Sequence, residues 1–245
     1  MIDVLRSGGV LRLTINRVEK RNALDLAHYQ ELTNQLTLAD QGEQIRVVWL
    51  EGAGGNFTAG NDLGDFLKNP PTGADSPVVR FMRALMTLKK PLVVMIEGAA
   101  VGIGCSMLLH ADMVFAADSA RFQMPFVNLG LVPEFGLTYL LPRMLGPLKA
   151  KELLLLGGPF SAVEAQSFGL VNHVFPVDDL SVQTEKAVKA LEKQPAEAMQ
   201  ITKQLLRLPQ EEAIEQAILA EMEVFEERLR SPEALNALQG FFNQK

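Results

Sequence analysis

A short, wholly apolar run that empties into a glycine-rich loop and then a helix occurs twice in this chain. VVWL at residues 47–50 leads into EGAGGNFTAGNDLGD, five glycines in fifteen residues, and LVVMI at residues 92–96 leads into GAAVGIG at residues 98–104. Continuous apolar runs of this length, rich in β-branched residues, read as strands buried on both faces of a sheet. Around them, Val10–Ile15 alternates as a half-buried strand, residues 16–22 form a charged turn, and a helix follows over 25–39 with Asp25 as its N-cap. A Pro-rich loop at 69–77 precedes a helix ending near Leu88. Two further short strands are expected at 113–116 and 171–175, and a helix at 161–166 ends at Phe168-Gly169. From Asp178 onward the pattern is helical, divided at Pro195, Pro209 and Pro232 into three or four helices. The expected organisation is an αβ core over residues 1–176 and a helical region over 177–245. The helix at 211–230 places Ile214, Ile218, Met222 and Phe225 on one face and Glu and Arg on the other. That stripe suits the chain's own core and a neighbouring subunit equally well.

Composition narrows the function. Apolar residues make up 48% of 245 and charged residues 21%, enough for a core without disulfide or metal staples. With 23 Lys and Arg against 29 Asp and Glu, the net charge of −6 has the wrong sign for tracking a phosphate backbone, so nucleic acid is not an expected partner. The single cysteine, Cys105, allows no internal disulfide, and the three scattered histidines form no ligand set, so no metal is expected. The first residues do not resemble a cleavable leader, and the expected location is cytoplasmic. Residues 92–109 approach the length of a membrane span but carry Glu97 and three glycines, so a strand, a turn and a buried helix account for them better.

The second glycine loop sits where a dinucleotide fingerprint would, yet Gly102-Ile103-Gly104 is its only G-x-G and Met107 stands where a third glycine is needed. A Gly-Lys-Ser/Thr phosphate loop is absent, and Gly104-Cys105-Ser106-Met107-Leu108 breaks the nucleophile-elbow pattern at Leu108. What remains is two backbone loops at the ends of neighbouring strands, able to hold one oxyanion between them.

FTAGNDL (57–63), IEGAAVGIG (96–104), DMVFA (112–116), Arg121-Phe122, NLGLVPE (128–134) and GLVN (169–172), in this order, resemble the successive motifs of the crotonase superfamily, the enoyl-CoA hydratase/isomerase family. The resemblance implies an α/β fold, a crotonase-like ββα spiral with a helical C-terminal trimerisation region. It also implies an acyl-CoA thioester substrate, a homotrimer or dimer of trimers, and no cofactor, coenzyme A being part of the substrate. In the family two backbone N–H groups grip the thioester oxygen. By position these belong to Asn61 and Ile103. Ala59, Asn61, Asp62 and Leu63 match the loop that contacts CoA, and Arg17, Arg21 and Ala23 match its N-terminal CoA-contacting segment, with Val18 in place of the usual proline. The basic residues of that turn read equally well as a solvated surface.

The resemblance also bears on the reaction. Ser106 and Phe126 occupy the positions of the two glutamates by which family hydratases hold a water. Glu134 falls where the peroxisomal-type Δ3,Δ2-enoyl-CoA isomerases carry their single catalytic glutamate, so the implied activity is isomerisation within fatty-acid β-oxidation chemistry. One carboxylate suffices there, because it can take a proton from C2 and return it at C4. Phe126 beside it would bind acyl substrate and exclude water. The alternatives are hydration, hydrolysis or another enolate-based step, or acyl-CoA binding without turnover. Glu134 could also merely complement the dipole of the helix that follows. Glu97, Asp112 and Cys105 are expected to be structural.

Overall fold

The computed structural model describes residues 1–70, 73 and 75–243, with side chains described as far as Gly240. Pro71, Thr72 and Ala74 of the expected Pro-rich loop, and the last two residues of the expected helical region, lie outside the described residues. The strands are β1 (Ile2–Ser7), β2 (Val10–Ile15), β3 (Val47–Gly52), β4 (Leu92–Ile96), β5 (Ala99–Val101), β6 (Met113–Ala117), β7 (Arg121–Gln123), β8 (Pro159–Ser161) and β9 (His173–Phe175). The helices are α1 (Leu26–Gln41), α2 (Leu63–Lys68), α3 (Pro77–Thr87), α4 (Ile103–Ser106), α5 (Leu137–Leu145), α6 (Pro147–Leu156) and α7 (Ala162–Ser167), then α8 (Val177–Glu192), α9 (Ala196–Arg207), α10 (Glu211–Leu229) and α11 (Pro232–Asn243).

Strands β1-β2-β3-β4-β6-β9 form one sheet, parallel apart from the antiparallel edge pair β1–β2. Alternate residues of the apolar runs enter different cores. Val48, Leu50, Val94 and Ile96 join the main core, to which α1 and α3 contribute, while Val47, Trp49, Val93 and Met95 meet Leu180 and Val188 of α8 on the other face. Burial of both faces is why these strands show no polar alternation. Asp25 caps α1 by accepting the His28 N–H at 3.1 Å.

A second sheet, β5-β7-β8, was not expected from the sequence. Each of its strands has three residues, too few to establish a period of two. After β4 and again after β6 the polypeptide passes from one sheet into the other, giving the strand–strand–helix progression of a spiral. The first strand was also missed, since it is an edge strand with only Ile2 buried.

The helical region bears out the proline breaks, and α10 settles the two readings of its apolar stripe. Ile214, Ile218, Met222 and Phe225 are buried within the chain itself. Glu221, expected on the solvent face, is buried with them. By contrast α9 buries none of its residues, leaving Leu205 and Leu206 exposed. No helix of the described residues is long and apolar enough to cross a membrane.

Candidate active site

The two glycine loops are stitched edge to edge. Thr58 N–H donates to Ala99 O at 2.9 Å and Val101 N–H to Thr58 O at 3.0 Å, while Leu24 N–H donates to Gly60 O at 2.8 Å from the other side. Gly60 has φ +88°, and a Cβ there would stand 2.8 Å from the Val101 carbonyl oxygen, so only glycine allows this approach. Gly102, with φ +56°, makes the matching turn into α4. Asn61 and Ile103 follow these two glycines. Among the described residues neither backbone N–H donates a hydrogen bond.

Ala59, Asn61, Leu63, Ile103, Phe126 and Glu134 line one cavity of about 50 Å³, together with Leu129, Leu131 and Phe225. Arg17, Arg21, Ala23 and Asp62 lie along the first loop outside this lining. The Arg17 guanidinium is engaged within the chain: Nη1 donates to Ala23 O at 3.1 Å and lies 2.9 Å from Asp62 and 3.2 Å from Asp25. Arg21 is exposed in a left-handed conformation, and buried Asn22 fixes that turn by donating to Ala53 O and Asn56 O. Asp62 caps α2 through the Gly64 and Asp65 N–H groups. Burial works against its charge, but the Asp65 N–H, Lys20 and Arg17 hold its pKa below the usual carboxylate value. Asp62→Ala is expected to cost about 1 kcal/mol of stability through the lost cap. Urea denaturation checks this, and an unchanged midpoint would deny the cap its role.

Glu134 is fully buried. Its Oε1 accepts from Asn61 Nδ2 at 3.0 Å, whereas Oε2 has no hydrogen-bond partner among the described residues. A buried carboxylate oxygen without a partner is costly. Burial, reinforced by the Glu221 charge and opposed by the Asn61 bond, pushes the Glu134 pKa up to about 8. The Asn61 amide is itself fixed from behind, because the Tyr29 hydroxyl donates to Asn61 Oδ1. The Asn61 side chain therefore engages the carboxylate, while its main-chain N–H has no acceptor among the described residues. Sequence reasoning assigned only its backbone. Tyr29 gave one legible signal, a buried-face tyrosine whose hydroxyl needs a partner.

Among the described residues Glu134 makes no hydrogen bond to the helix that follows. Those bonds are made by Glu221, which accepts the Gly136 and Thr138 N–H groups at 2.6 and 2.8 Å and the Thr138 hydroxyl. Its position, seven residues after Ile214 and four before Phe225, puts an acid on an apolar stripe, a signal present in the sequence. Between Glu134 and α5 the chain takes two left-handed residues, Phe135 (φ 67°) and Gly136 (φ 72°). For phenylalanine this conformation costs about 1–2 kcal/mol.

Ser106, fully buried, donates its hydroxyl to Gly102 O at 3.3 Å. Asp112 accepts the Leu92 N–H and pairs with Lys203, and the buried Cys105 thiol, pushed up to about 12 by burial, donates to Ala100 O. These are structural uses.

The raised Glu134 pKa has a thermodynamic sign. A carboxyl group with a folded pKa near 8 and an unfolded value of 4.5 contributes stability that is full below 4.5 and is lost as pH rises through about 8. Glu134→Gln has no charge to bury, so its Tm relative to the parent should climb between about pH 5 and pH 9. A difference that stays flat in thermal denaturation across this range would refute the raised pKa.

A sequence model of the enoyl-CoA hydratase/isomerase family matches residues 6–245. The human protein enoyl-CoA delta isomerase 2 is 32% identical over 99% of this chain, which spans only 63% of that protein's length. The 2,3-dehydroadipyl-CoA hydratase of Escherichia coli K12 is 35% identical, over 91% of this chain and 88% of that protein. The solved structure of Pseudomonas aeruginosa OdaA superposes with a TM-score of 0.95 at 43% identity, over 98% of each chain.

Proposed function

The chain belongs to the enoyl-CoA hydratase/isomerase family, whose members act on acyl-CoA thioesters, and from that premise we propose that it shifts the double bond of a 3-enoyl-CoA to the 2 position. The observation that carries this reading is that the cavity lined by Asn61 and Ile103 has one carboxylate in its lining, Glu134, which is fully buried and has one oxygen without a partner among the described residues.

In the proposed reaction the thioester oxygen lies between the Asn61 and Ile103 N–H groups. Ionised Glu134 takes a proton from C2 through Oε2. The electron pair spreads into the thioester as a dienolate, whose oxygen the two N–H groups stabilise. Glu134, now neutral, returns the proton at C4, which leaves the double bond between C2 and C3. Burial raises the basicity of the carboxylate and makes its neutral form accessible, so one group can act in both directions. Phe126, Leu129, Leu131 and Phe225 keep the surroundings apolar. Of the two positions at which family hydratases hold a water, one is a serine bonded to its own helix and the other is Phe126. Hydration by a pair of carboxylates therefore has little support. The exposed leucines of α9 support contact with other copies of the chain as the resemblance implies, and the expected compartment is the cytoplasm.

The test supplies a 3-enoyl-CoA and, separately, a 2-enoyl-CoA to the full chain and identifies the products. Conjugated 2-enoyl-CoA should form from the first and negligible 3-hydroxyacyl-CoA from the second, with kcat/KM rising with pH towards a plateau above about 8. Dominant hydration, or binding without turnover, would overturn the proposal.

A further inference from the structure

Glu134 is followed at once by a left-handed turn, Phe135 and Gly136. Glycine adopts such a conformation freely, but a phenylalanine stays in it only when its surroundings hold it there. At Gly136 the N–H is held by Glu221, and at Phe135 the carbonyl and the ring are both held by His110. Nε2 of His110 lies 2.9 Å from Phe135 O, and the imidazole stacks on the Phe135 ring with centroids 4.0 Å apart and planes 18° apart. A carbonyl oxygen only accepts, so Nε2 carries the hydrogen. Burial, with Lys203 adding to it against the Phe135 bond, lowers the imidazole pKa to about 4, so the ring is neutral in ordinary assay buffers.

We propose that His110 is a positioning residue: by bonding and stacking on Phe135 it fixes the left-handed turn that keeps Glu134 Oε2 in the cavity between the glycine loops. The inference rests on the reading of Glu134 as the base. It assigns His110 a task distinct from that of Asn61, which holds the other carboxylate oxygen. Asn61 restrains the end of the side chain; His110 restrains the backbone from which it springs. His110 also lines a separate cavity of about 190 Å³ with Asp112, Leu140 and Lys203. That space gives side chains of other shapes room at this position.

The test compares His110→Phe, which keeps a ring against Phe135 but deletes the donor, with His110→Gln, whose amide can donate to the same carbonyl. Both are made in the full chain and assayed for 3-enoyl-CoA isomerisation alongside thermal denaturation. His110→Phe should lower kcat of the folded enzyme about 10- to 100-fold, the scale of a misplaced catalytic group, with KM within about twofold. Its kcat/KM–pH midpoint should also move, and His110→Gln should recover most of the loss. A role confined to packing would lower Tm but leave kcat and the midpoint of the folded fraction at parental values. That result overturns the proposal, as does a His110→Gln variant no better than His110→Phe. Should His110→Phe fail to fold, His110→Leu decides, because it deletes both the donor and the stacked ring while leaving the buried Phe135 side chain in place. It should show the same kcat loss with KM retained, and a parental kcat would overturn the proposal. The two readings fail differently. Glu134→Gln at the parental rate removes the base itself, whereas a crippled Glu134→Gln beside a fully active His110→Phe removes only the role of His110.

Discussion

Glu134→Gln is expected to lower kcat for 3-enoyl-CoA isomerisation about 10²- to 10⁴-fold, the usual contribution of a positioned acid or base. The substitution is nearly isosteric, and the Gln carbonyl can still accept the Asn61 Nδ2 hydrogen that Glu134 Oε1 now accepts at 3.0 Å. The near-isosteric side chain keeps the cavity lining filled and leaves the two proposed backbone donors in place, so KM should change little. What disappears is the ability to take a proton at one carbon and deliver it at another. The rise of kcat/KM with pH should vanish as well, since Gln does not titrate. Steady-state kinetics across pH, with product analysis, reads all of this at once. A variant that isomerises at the parental rate would send the search to another cavity group.

Ile103→Pro should cost about 10²- to 10³-fold in kcat, the effect of removing one donor to a developing oxyanion. Proline has no N–H, and Ile103 is the first residue of α4, where the fixed φ of proline is tolerated. The backbone path can therefore persist while the proposed hydrogen bond is deleted. Ile103 is fully buried, so lost packing has to be separated from the lost donor. Ile103→Val removes one buried methylene and keeps the N–H. Its cost should be about 0.5–1.5 kcal/mol of stability with a far smaller loss of rate. If the Pro and Val variants lose rate equally, the Ile103 N–H is not a donor to the reaction.

Both predictions begin from positions that could be read in the sequence, for identifiable reasons. The runs at 47–50 and 92–96 announced themselves because burial on both sheet faces removes every polar residue. The loops after them were legible because close approach of two backbones demands glycine, as Gly60 does against Val101 O. Cys105 and Asp112 take the structural uses expected of them. The second sheet escaped notice because three-residue strands carry no periodicity, and the edge strand β1 because only one of its six residues is buried.

The site itself divides in the same way. The sequence placed Glu134, Asn61 and Ile103 as candidates through ordered motifs, and the backbone donors among them need no particular side chain. It could not say that the Asn61 side chain reaches Glu134, that Tyr29 orients that amide, or that Phe225, ninety-one positions beyond Glu134, closes the same cavity. Nor could it assign Glu221 to the start of α5.

By itself, then, the sequence determined which segments are strands buried on both faces, where the backbone must bend without a side chain, and which family's chemistry those loops suit. The first two follow from local composition and spacing; the third came from the resemblance of the ordered motifs to a known family. Only the tertiary structure decided the state of the carboxylate. A pKa near 8, an unpartnered oxygen and a left-handed turn under His110 arise from groups far apart in the chain and brought together by folding. Desolvation and hydrogen bonding depend on distance in space, and no spacing in the sequence encodes that directly.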